Sequence, residues 1–178
     1  MKKLKIYFLF LWAVFCLGGK SSAQFEFPAG WLGEWKGKLI IYSENKVKSE
    51  VAMELHIMNT DTDGHWKWTI VYGTGEMRQE RPYELILVDN EKGKYKMDEK
   101  NSIIIDITYA NNTFYSTFNV EKNLITAIYR LEDKKIYFEL ISSDMKNPLV
   151  TGQEGDDISI VESYPVNVTQ KAVLTISN

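Results

Sequence analysis

Along most of the chain, apolar and polar residues alternate with a period of two, the pattern of strands with one buried and one wet face. In "SEVAMELHIM" Val51, Met53, Leu55 and Ile57 share one parity, and Glu50, Glu54 and His56 share the other. "HWKWTIVY" repeats the pattern, with Trp66, Trp68, Ile70 and Tyr72 on one side and His65 and Lys67 on the other. About nine such runs are legible, each closed by a turn-forming cluster such as "ENK", "NTDTDG", "GTGE", "DNEKGK", "NN", "EKN" or "EDKK". Connections this short leave no room for crossover helices, so neighbouring strands must run antiparallel. Only residues 146–167 are long enough for a detour, read as a short edge strand around Ile158–Ser163 or as a wrap over the outside. Nothing in the rest of the chain has helical periodicity. Consecutive hairpins can build a sandwich or a barrel, and closure favours the barrel because it removes exposed edges. The expectation is an all-β protein: a single antiparallel up-and-down β-barrel of about eight to ten strands.

The first 23 residues break the pattern. Lys2, Lys3 and Lys5 form a basic head, an apolar run from Ile6 to Leu17 follows, and Ser21 and Ala23 offer small residues for cleavage before Gln24. The run is too short for a comfortable membrane-spanning helix. Residues 1–23 are therefore read as a cleaved signal peptide, and residues 24–178 as one exported domain, periplasmic or secreted. Acylation at Cys16 is the alternative, but the bulky Phe15 precedes it where lipoprotein signals carry a small residue. Cleavage removes the one cysteine and so excludes disulfides and thiol chemistry from the mature chain. It also removes four of the 21 basic residues and moves the formal charge from −3 to −7. An acidic surface argues against nucleic acid or an anionic membrane as partner.

The stretch "PAGWLGEWKGKL" (28–39) stands at the start of the first strand. Gly33–Trp35 resembles the Gly-x-Trp signature that opens the first strand of lipocalins and the wider calycin group. The resemblance implies a meander barrel closed at one end, with Trp35 packed across the floor beneath a basic side chain from a late strand, Arg130 or Lys171. "WLGEWKGKL" is also similar to the opening of nitrobindin-like haem-binding barrels, whose iron ligand is a late histidine, whereas this chain has no histidine after His65. The "AQ" junction with this strand plan further resembles exported lipocalin-like proteins of unassigned function from Bacteroidota-type bacteria.

Candidate chemistry is sparse. "NTDTDG" mimics the start of a calcium loop, yet the position of the bidentate glutamate is Ile70, so it reads as a hairpin turn. His56 and His65 offer at most half a metal site. "NNT" (111–113) and "NVT" (167–169) read as turn and strand residues. No nucleophile motif is present. Asp106 interrupts the apolar run "SIIIDITYA" and with Glu139 forms a conceivable carboxylate pair, although alternation with Ile105 and Ile107 turns Asp106 outward. In "RQERPYELIL" Arg81 and Tyr83 flank Pro82 with one parity and offer a cation and a hydroxyl to a polar head group. Aromatic residues make up 13% of the chain and suit either a ligand cavity or a filled core.

The expected function is non-catalytic binding of a small hydrophobic or amphipathic molecule. Trp35, Trp68, Tyr72, Arg81, Tyr83, Tyr129 and Arg130 are the candidate ligand-binding residues, and no cofactor or metal is expected. The alternatives are a surface interaction barrel with a filled core and an enzyme using carboxylates inside the barrel.

Overall fold

The computed structural model describes residues 27–152 and 159–177. The leader with Cys16 and the acidic stretch 153–157 lie outside the described residues. Ten strands close into one antiparallel barrel: β1 (Gly33–Ser43), β2 (Lys46–Asn59), β3 (His65–Tyr72), β4 (Gln79–Asp89), β5 (Lys94–Asp98), β6 (Ile104–Ala110), β7 (Thr113–Val120), β8 (Asn123–Glu132), β9 (Lys135–Asp144) and β12 (Val166–Ile176). Between β9 and β12 a two-stranded ribbon, β10 (Leu149–Thr151) and β11 (Val161–Ser163), stands apart from the barrel. The detour thus carries a short strand pair of its own rather than an edge strand of the main sheet. Among the described residues no helix is long and apolar enough to cross a membrane.

Turn chemistry explains the meander. Glu44–Asn45, Asn111–Asn112, Glu121–Lys122 and Asp133–Lys134 all have positive φ at both central residues. That geometry makes two-residue hairpin turns whose twist matches the flanking strands, and it locks their register. Closure comes from β1, which pairs with β2 on one side and β12 on the other, Trp35 facing Leu55 and Ile176. Gly37 makes this seam possible: a Cβ there would lie 2.2 Å from the Val173 carbonyl oxygen and 2.9 Å from Leu174 Cδ2.

The strand missing from the sequence reading is β5. Its five residues alternate lysine or aspartate with just Tyr95 and Met97, and so look like the end of a polar loop. Both apolar side chains are buried and join the core.

The lumen is filled at one end only. The segment from Phe27 to Trp31 folds into the barrel end that carries the β4–β5 and β6–β7 turns. Phe27 packs edge-on against Trp66 at 4.6 Å between ring centroids and against Phe114 at 5.1 Å. Trp31, fully buried, meets Phe114 at 5.0 Å and Trp68 at 6.3 Å. Such ring clusters combine large area burial with edge-to-face contacts.

Candidate functional site

Above Trp68 the lumen opens into a cup of about 130 Å³ at the mouth. Alternation places its wall residues: Trp68, Ile70 and Tyr72 come from β3, and Arg81 and Tyr83 from β4. The register sets Trp68 directly opposite Tyr83 and Ile70 opposite Arg81. Met97, Ile105 and Ile107 continue the wall on β5 and β6, with Glu99 just beyond β5. Ser116 and Phe118 on β7, Ala127 and Tyr129 on β8, and Phe138 and Leu140 on β9 complete it. The lower wall is apolar, and the rim carries the guanidinium, the carboxylate and the phenols of Tyr72 and Tyr83. Two hollows of about 340 Å³ each lie elsewhere, one on the outer face around Tyr42 and Asn167, one outside the floor around Phe27 and Lys92. Neither reaches the cup.

The rim is electrostatically uneven. The Arg81 Cζ lies 5.4 Å from the centroid of the Tyr72 ring, a cation over an aromatic face. Neighbouring cations are neutralised: Lys100 pairs with Glu84 and Asp98, and Arg78 with Glu80. Among the described residues Arg81 forms no such ion pair. Burial pushes the Tyr72 hydroxyl up, partly offset by the Arg81 charge. Burial does the same for Tyr83, reinforced by Glu99 and opposed by Arg81. Tyr129, deepest of the three, is pushed well above the ordinary phenol range by burial, with the nearby Tyr72 and Tyr83 adding to it. Trp68 meets Tyr129 edge-on at 5.2 Å. The Trp68 Nε1–H is near enough to pull the Tyr129 hydroxyl slightly down, yet it reaches no hydrogen-bond geometry and stays buried without a partner.

The cup brings together Trp68, Tyr72, Arg81, Tyr83 and Tyr129, five of the seven residues expected at the site. Trp35 lies in the filled floor, and its Nε1 donates to the Trp31 carbonyl at 2.8 Å. The chain's own backbone covers it, in place of the basic side chain implied by the calycin resemblance. Arg130 points outward, pairs with Glu132 at 3.2 Å and lies over Tyr137, because it follows the inward Tyr129 on the same strand. Lys171 also faces out, paired with Glu139 at 2.9 Å. Asp106 is exposed opposite Lys96, so neither carboxylate of the conceivable pair enters the lumen. His56 contacts Glu54 and faces Thr69 in the ladder, while His65 contacts Glu84. Among the described residues no group of three or more His, Cys, Asp or Glu side chains is placed to hold a metal ion. Glu99, adjacent to Asp98 and so excluded by alternation as half of a carboxylate pair with it, is nevertheless the carboxylate that lines the cup.

No family model matches the chain, and no curated protein matches it in sequence. Among solved structures it is similar to the S-type phycobiliprotein lyase CPES from Guillardia theta, with a TM-score of 0.58 and 10% identity, over 84% of this chain and 89% of that one. The fold is lipocalin-like. At that identity the likeness carries the architecture alone, and the cup must be read from its own residues.

Proposed function

We propose that the mature chain is an exported, calycin-type binding protein that holds a small hydrophobic or amphipathic molecule in the mouth cup. One observation carries this reading: aromatic side chains fill the floor half of the lumen, while the mouth half is left open with an apolar wall and a polar rim. A barrel evolved only for stability would gain by packing both halves, since unfilled apolar space forfeits contacts. The volume lies below the ~300 Å³ at which drug-sized ligand sites begin. An engineered cavity of about 150 Å³ admits benzene, so the enclosed part of the ligand is about one ring or a short branched chain. Binding rather than catalysis is favoured because Asp106 and Glu139 both face away from the cup, which leaves Glu99 without a partner carboxylate among its lining residues. Export rests on the leader sequence.

The test is native mass spectrometry of protein purified from its own host, paired with displacement of a lipophilic dye. Ala127→Phe, which fills the cup, should abolish both the co-purifying mass and the dye response while leaving the thermal transition in place. A dye response that survives this substitution would move the ligand elsewhere.

A further inference from the structure

We infer that the cup selects a monocarboxylate: an acid whose apolar body, about the size of one ring, sits against Trp68 and Phe138 while its head group meets Arg81. The inference rests on the binding reading above and adds the chemistry of the head.

Donors outnumber acceptors around the open space. Arg81 presents five N–H donors and no acceptor, and the planar fork of a guanidinium matches the two oxygens of a carboxylate. Its Cζ lies 5.4 Å from the centroid of the Tyr72 ring, a contact that leaves the charge available. No carboxylate pairs with Arg81 among the described residues: Glu80, Glu84 and Asp98 lie outside the cup and pair with Arg78 and Lys100, and Glu99 is the carboxylate of the cup wall itself. Tyr83 flanks the same position, one strand across from Trp68. The hydroxyls of Tyr72, Tyr83 and Tyr129 are protonated at neutral pH, as ordinary phenols are, and burial pushes them further up, so each can donate. A wall this rich in donors is best satisfied by an acceptor-rich head, because a buried donor left unpaired is costly.

Glu99 limits the charge. It stands close enough to Tyr83 to raise its hydroxyl but forms no ion pair with Arg81 among the described residues. With one cation and one anion on the rim, a single added negative charge is accommodated at Arg81. A phosphate dianion would bring a second negative charge to a wall that already carries Glu99.

The experiment uses three probes with one body and different heads: phenylacetate, its amide and phenethylamine. Titration calorimetry on the mature chain, with quenching of tryptophan fluorescence as a second readout, ranks them. Phenylacetate should bind at least about tenfold tighter than the amide, the advantage of a charge-assisted hydrogen bond over a neutral one. Arg81→Gln should erase that margin and leave the affinity for the amide unchanged. Ala127→Phe should abolish binding of all three. Equal affinity for acid and amide, a preference for the amine through Glu99, or an acid preference that survives Arg81→Gln would each overturn the carboxylate assignment with the cup still standing. Failure of all three probes to bind the wild-type protein would overturn the cup reading itself.

Discussion

Trp31 and Trp35 occupy the same floor, are 0% and 2% exposed, and yet should respond oppositely to one substitution, phenylalanine. Each variant loses a comparable part of an indole ring, about 1 to 2 kcal/mol of burial and cavity cost. The polar terms have opposite sign. The Trp35 Nε1–H satisfies the buried Trp31 carbonyl at 2.8 Å, so Trp35→Phe leaves that carbonyl short of its donor and costs a further ~1–3 kcal/mol. The Trp31 Nε1–H is buried with no partner, so Trp31→Phe removes a penalty of about the same size. Trp31→Phe should therefore sit near the wild type, and Trp35→Phe should fall roughly 2 to 6 kcal/mol below Trp31→Phe. Urea unfolding with an unchanged slope measures the gap, and thermal melts should separate the two by about 3 °C per kcal/mol for a domain of this size. Equal destabilisation of the two variants would refute the reasoning, because it would mean that ring volume alone decides the floor.

The remaining predictions concern the seam and the titrating groups. Gly37→Ala should cost about 1 to 3 kcal/mol or more in urea unfolding, since its Cβ would meet the Val173 carbonyl rather than a yielding side chain. Because burial raises Tyr129 above the unfolded phenol value of ~10, its contribution is complete below that pH and is lost as pH rises through the folded value. Tyr129→Phe should flatten this alkaline limb of the stability curve, and the phenolate absorption of the wild type should lag until unfolding. Lys100 first and His65 second hold the Glu84 carboxyl below its ordinary range, so that stability is present above the usual glutamate range and lost as pH falls through the folded value. Its side chain is near the surface, so Glu84→Gln should cost less than about 1 kcal/mol at neutral pH, and the two stability curves should merge as the pH falls below the lowered folded value.

The sequence by itself determined nine of the ten barrel strands, their antiparallel order and most of the inward set, because a period of two and paired turn residues act over a few neighbours. Arg81 and Tyr83 could be placed on one face of their strand from parity alone. The same rule, applied strictly, separates Tyr129 from Arg130: adjacent strand residues face opposite ways, so parity alone forbids both from lining one lumen. Tertiary structure alone decided the rest. It showed that five residues bearing just Tyr95 and Met97 form a strand, because barrel neighbours on both sides supply the pairing that so short a run cannot signal. It sent Trp31 into the floor, although the sequence showed only that its parity matched Trp35. It also decided which half of the lumen stays open, because that depends on the summed volume of side chains from strands far apart in sequence. Local pattern carries direction, inward or outward, and only the closed barrel carries how much room remains inside.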